Sequence, residues 1–128
     1  MQTPDDRRYH AEHTWVQADG DVATVGITDH AQDELGEIVY IQLPEAGATV
    51  TRGTSMGEIE SVKTVSELIS PVTGVVQERN ENAIEKPEVI NSDPYDKGWL
   101  VRVRLSDPAE LATLLSAADY QALTEAQH

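Results

Sequence analysis

The chain has 128 residues, with 9 Lys and Arg against 23 Asp and Glu, a formal net charge of -14 and no cysteine. The missing thiol excludes disulfides, thiolate metal centres, iron–sulfur clusters and cysteine nucleophiles, so any redox chemistry must arrive on an attached group. The charge excludes nucleic acid and anionic membranes, which need clustered Lys and Arg; the basic residues here are scattered from Arg7 to Arg104, and basic proteins are the natural partners.

In chain order, Trp15 to Ala18 and Val22 to Ile27 flank Asp19-Gly20-Asp21, whose Asp-Gly pair supplies the positive φ of a tight turn, so a β-hairpin is predicted. Thr28 or Asp29 then caps a short helix running through Ala31, Gln32 and Leu35 and stopping at Gly36. Glu37 to Leu43 is predicted as a strand covered on both faces, since Ile38, Val39, Tyr40, Ile41 and Leu43 are nearly continuous; Pro44 and Gly47 close it. Further short strands are predicted around Val50 and over Met56 to Val62, Thr64 to Ser70, Gly74 to Asn80 and Trp99 to Leu105. Between the last two, Asn91-Ser92-Asp93-Pro94-Tyr95 reads as a turn. In the tail, Asp107-Pro108-Ala109-Glu110 supplies an N-cap, an N1 proline and an N3 carboxylate for a helix with the stripe Leu111, Leu114 and Leu115. A further turn or two carries Tyr120 and Leu123.

Short strands with frequent turns predict a mainly β barrel or sandwich, a single domain over 1–128 with 107–128 as a C-terminal helical segment. Trp15 and Trp99 are the expected core anchors of a chain without phenylalanine. The longest apolar run, Ile38 to Ile41, is far short of the roughly 20 residues of a membrane helix. Met1 to Asp6 has neither a basic signal start nor transit-peptide character, and a soluble cytoplasmic protein is expected.

The chain has three lysines, Lys63, Lys86 and Lys97, and Lys63 separates two strand-like arms and falls at a hairpin tip. Such a lysine is presented on a stiff ledge to a modifying enzyme that reads position; a solvated turn lysine is the plainer reading of the same geometry. Glu58 and Glu60 share a strand face but lack the desolvated cleft a hydrolase needs. His10, Glu12 and His13, with His30, have ligand chemistry, but neighbours on one polar segment are a weak metal signal and no metal site is expected.

Glu60-Ser61-Val62-Lys63-Thr64-Val65-Ser66-Glu67 resembles the lipoyl-attachment segment of the H-protein family of the glycine cleavage system. The resemblance continues through Glu12-His13-Thr14-Trp15-Val16, Val25 to Gln32, Leu35 to Val39, Pro71 to Gly74, and Ile90 to Tyr95 leading to Gly98-Trp99. It implies a barrel-sandwich hybrid of the lipoyl- and biotinyl-carrier type, mainly β with a short internal helix and a C-terminal helix. It implies lipoate on Lys63, with Glu60, Ser61, Val62, Thr64 and Glu67 recognised during lipoylation, and no catalytic residue of its own. The implied partners are a pyridoxal-phosphate glycine decarboxylase (P protein), a tetrahydrofolate-dependent aminomethyltransferase (T protein), dihydrolipoamide dehydrogenase (L protein), and a lipoate ligase or octanoyl transferase.

In that family the loaded arm folds into a cleft, for which Glu12, His13, Thr14 and Glu67 are the candidates here. Thr14 stands where a glutamate commonly follows the histidine, and Thr64 where an alanine commonly follows the lysine. A lipoyl domain of a 2-oxoacid dehydrogenase or a biotin carrier would show Asp-Lys-Ala or Met-Lys-Met at the tip rather than Val62-Lys63-Thr64. An unmodified binding module or a lipoate relay of the same fold is the alternative from another class.

Overall fold

Backbone hydrogen bonding in the computed structural model, which describes residues 2–126, divides nine strands between two sheets. The chain runs β1 (Arg8–His10), β2 (Thr14–Asp19), β3 (Val22–Ile27), helix α1 (Asp29–Leu35), β4 (Ile38–Gln42), β5 (Thr49–Val50), β6 (Ser55–Ser61) and β7 (Val65–Ile69). It continues with β8 (Gly74–Arg79), helices α2 (Glu81–Glu85) and α3 (Glu88–Ser92), β9 (Val101–Leu105), a 3-10 helix over Pro108–Thr113, and α4 (Ala117–Ala126). The larger sheet has the order β1-β2-β3-β9-β8-β5 and the smaller the order β4-β6-β7. All named pairings are antiparallel, and neither sheet closes into a barrel. Val25, Val76 and Val103 of the larger sheet and Ile41, Ile59 and Leu68 of the smaller meet in one buried core, giving the sandwich side of the expected hybrid. No helix among the described residues is long and apolar enough to cross a membrane.

Local signals act as read. Register pairs Asp19 with Val22, leaving Gly20-Asp21 as the two-residue turn. Thr28 Oγ1 accepts from the Ala31 N–H (3.1 Å) at the start of α1, and Gly36 ends it.

Four expectations are corrected. β4 is not covered on both faces: Ile38 and Ile41 are buried, but Val39 (45% exposed) and Tyr40 (52%) both face out. The cause is a register shift against β6 between Ile38 and Tyr40, a bulge that puts two consecutive side chains on one face. Second, Asn91 and Ser92 end helix α3, so the turn begins only at Asp93; neither α2 nor α3 was expected. Third, Asp107 caps a 3-10 helix rather than an α-helix, and Leu114 and Leu115 lie beyond it. Leu115 instead pairs with Tyr9 across an isolated antiparallel bridge (N–O 2.8 and 2.9 Å), which also explains the unpredicted β1, where only Tyr9 is buried. The expected C-terminal segment reaches 128, past the described residues; within them α4 carries buried Tyr120 and half-buried Leu123. Fourth, Trp15 (1% exposed) is a core anchor but Trp99 is only half-buried, beneath the Arg102 guanidinium at 4.0 Å.

Candidate functional site

Three residues, Val62-Lys63-Thr64, join β6 to β7, and the preceding serine locks them. The Ser61 N–H donates to the Thr64 carbonyl (2.8 Å), while Ser61 Oγ accepts from the N–H groups of Thr64 (3.2 Å) and Lys63 (3.3 Å). The Val62 N–H donates to the Glu37 carbonyl (3.0 Å) and ties the tip to the entry of β4. Lys63 stands exposed at the crest between exposed Val62 and Thr64. Its stem runs beside Gly36, where an added Cβ would meet Lys63 Cε at 3.4 Å and where φ of 78° already disfavours other residues.

The β4 entry is itself held by a residue that sequence reasoning read only as a turn former. Asn91 Nδ2 donates to the Gly36 carbonyl (2.8 Å) and to Gln32 Oε1 (3.0 Å), and Asn91 Oδ1 accepts from the Ile38 N–H (2.9 Å). One side chain thus joins the end of α1, the start of β4 and α3 beneath the lysine tip. Asparagine inside a helix is itself a signal that its amide has work elsewhere.

Beside the tip, β7 faces the β1–β2 turn and α1 across a cleft of about 290 Å³. Ile27, Ala31, Leu35, Ile59 and Leu68 supply apolar lining, and Glu12, His13, Thr14, Glu34, Thr64 and Glu67 supply the polar part; Glu67 and Val65 border the cleft from the edge strand β7, on the face of its sheet that also carries Glu58 and Glu60. The four expected arm-cleft residues, Glu12, His13, Thr14 and Glu67, therefore do come together. Glu60 does not join them; it lies on the outer face of β6, opposite Tyr40 and Val65. Glu34 was missed: one helical turn after His30, its Oε1 lies 3.0 Å from His30 Nε2, and that i,i+4 pairing was the available signal. Three carboxylates and no Lys or Arg line the cleft, which suits a chain ending in a cation.

His13 is the one described non-glycine residue with positive φ (70°), closing the three-residue β1–β2 turn. Its Nδ1 sits 2.7 Å from the Tyr120 hydroxyl, which is also 2.7 Å from Thr28 Oγ1. Burial, helped by the His30 ring at 4.8 Å, pushes the His13 pKa below the ordinary histidine value. Burial likewise raises Tyr120, whose phenol stays neutral. Thr14 is buried, and its Oγ1 has no hydrogen-bond partner among the described residues. The Glu12 N–H donates to His10 Nδ1 (3.0 Å), so that nitrogen is taken. Among the described residues no three His, Asp or Glu side chains are grouped to hold a metal ion.

Comparison with known proteins agrees with this geometry. The family model of the glycine cleavage H-protein matches residues 7–127. The glycine cleavage system H protein of Synechococcus elongatus is 51% identical over 124 residues, covering 97% of this chain and 96% of that one. That of Listeria monocytogenes is 51% identical over 121 residues, covering 94% and 97%. The crystal structure of a glycine cleavage system H protein from Mycobacterium marinum superposes with a TM-score of 0.88 at 43% identity, covering 95% of this chain and 98% of that one. Such matches run through the tip, the cleft and the tail alike, and the chain belongs to the glycine cleavage H-protein family.

Proposed function

We propose that Lys63 carries lipoate through an amide bond and that the adjoining cleft receives the loaded arm. Membership of the family makes the chain a carrier component of the glycine cleavage system rather than a catalyst. The observation that carries the finer reading is the junction of two features: an exposed lysine on a hydrogen-bonded tip, and a next residue, Thr64, that already lines an acidic cleft. Lipoate, when attached, supplies a disulfide–dithiol pair that accepts the aminomethyl group of glycine.

The residues of the chain do the rest. Ser61 and Asn91 fix the attachment point, so the tethered group stays at high local concentration near whichever enzyme is docked. Amide formation removes the Lys63 charge and leaves the chain one unit more negative, which favours docking on basic enzyme surfaces. In the cleft, Glu12, Glu34 and Glu67 offer carboxylates to the loaded amine, a charge that is expensive to remove from water unpaired. Thr14 Oγ1 has hydrogen-bonding capacity in hand, and the apolar lining takes the hydrocarbon stem. Glu60, Val62, Thr64 and Glu67 are what a lipoate ligase or octanoyl transferase meets, with Ser61 holding their shape. Glycine decarboxylase, aminomethyltransferase and dihydrolipoamide dehydrogenase are then served in turn, in the cytoplasm.

Intact-mass spectrometry with peptide mapping, on protein from lipoate-replete cells, tests this directly. A lipoyl increment confined to Lys63 and absent from Lys63→Arg is expected. Modification at another residue, or none in the presence of a competent ligase, overturns it.

A further inference from the structure

The outer face of the three-stranded sheet carries two transverse rows. Register sets Tyr40 beside Glu60 and Glu60 beside Val65 in the first, and Gln42, Glu58 and Glu67 in the second. Of the five large apolar side chains most exposed among the described residues, four surround Lys63 on this sheet and its tip: Val39 (45%), Tyr40 (52%), Val62 (65%) and Val65 (57%). Two of them face out because of the β4 bulge, a device that re-aims side chains.

The charge on this face is equally one-sided. Glu58 and Glu67 stand directly opposite one another, an arrangement that weakens a sheet. No ion pair among the described residues engages Glu58, Glu60 or Glu67, and neither row contains Lys or Arg. A cationic protein surface is what relieves that repulsion, while an apolar centre on the same surface covers Tyr40 and Val65.

Resting on the lipoyl-carrier reading above, we propose that this face, centred on Tyr40 and Val65, is the docking surface for the enzyme that acylates Lys63, which meets it with basic side chains around an apolar centre. Reach selects this occupant among the partners. Before modification the reacting atom is Lys63 Nζ, and a bare lysine side chain obliges the enzyme to contact the sheet beside it; afterwards the reactive end lies far out on the arm. In the step itself the neutral Lys63 amine attacks the carbonyl carbon of an activated acyl donor, an acyl adenylate or acyl thioester. The amide C–N bond forms, the bond to AMP or to the carrier thiol breaks, and the amine proton leaves with that group.

The test measures initial rates of lipoylation of the unmodified full chain by purified lipoate–protein ligase with lipoate and ATP, read by intact mass. Tyr40→Ser and Val65→Ser should each lower kcat/KM for the acceptor at least roughly tenfold, mainly through KM, as truncation of a central interface anchor does. Tyr40→Phe should retain near-normal rates, and Val75→Ser, exposed on the larger sheet, should be unaffected. Equal melting temperatures exclude misfolding. After exhaustive lipoylation, Tyr40→Ser, which lies outside the cleft, should be turned over normally by dihydrolipoamide dehydrogenase. Wild-type rates for both serine variants overturn the proposal, as does normal lipoylation with lost dehydrogenase turnover, which would give the face to a later partner. Failure of the wild-type chain to be lipoylated at all instead sinks the carrier reading on which this one rests.

Discussion

The two sheets are finished differently on their outer sides. The larger is covered at its β1–β2 end by α4, where Tyr9 stacks on Tyr120 (centroids 4.8 Å apart, 15° between planes) and Trp15 lies against Gly26. A Cβ at Gly26 would come within 2.6 Å of the Trp15 ring, so only glycine lets the indole sit flat on β3. The indole Nε1 also donates to the Pro94 carbonyl (3.0 Å) and so fixes the turn before β9. Among the described residues the smaller sheet has no such aromatic cover over Tyr40 and Val65, and its tip is held from one side by Ser61, Glu37 and Asn91. Both sheets share the aliphatic core, but one is finished by buried aromatic rings, and the other by a clamped backbone tip whose side chains are left in water.

Four substitutions or titrations sharpen that contrast, in falling order of effect. Lys63→Arg should abolish aminomethyl transfer in a reconstituted glycine decarboxylation assay while leaving the melting temperature unchanged, since the side chain is exposed. Trp15→Ala should remove about 3–5 kcal/mol of stability in urea unfolding, yet leave lipoylation of the folded fraction normal. Asn91→Ala, which strands the buried end of β4, should cost about 2 kcal/mol and, unlike Trp15→Ala, should also slow lipoylation by loosening the tip. The smallest effect is a pH dependence. His13 and His10 are held below their ordinary value of 6.5 mainly by burial, aided by His30 for the first and Arg52 for the second. The folded chain therefore resists protons that the unfolded chain accepts, so stability is full above 6.5 and declines as pH falls below it. Melting temperatures between about pH 7.5 and about pH 5 should show this slope, shallower in His13→Asn, which tolerates the left-handed backbone.

What could be read from the residues follows the range of the forces involved. The β2–β3 hairpin, the capped helix α1 and the lysine tip depend on neighbours within a few positions, and they stand where Asp19-Gly20, Thr28 with Gly36, and the arms around Lys63 put them. The bulge in β4 depends on register against β6, a strand some twenty positions away, and nothing in Ile38 to Ile41 announces it. Helices α2 and α3 have five residues each, too few for a 3.6-residue period to show. In the tail the capping signal at Asp107 was real, but it could not reveal that Leu115 is needed as a partner for Tyr9. The cleft divides the same way. Glu12, His13, Thr14 and Glu67 came from resemblance, whereas the spacing of Glu34 from His30 shows the pair but not that this side of α1 faces β7.

The Tyr120 hydroxyl, lodged between His13 and Thr28, joins positions 107 and 92 residues apart in sequence. The hydrogen bonds that shape the lysine tip all lie within residues 32–91, whereas the rim around His13 is complete only with α4 in place. The C-terminal helix is thereby part of the frame of the cleft, and a chain shortened before Tyr120 would keep the contacts of the tip while losing that clamp on His13.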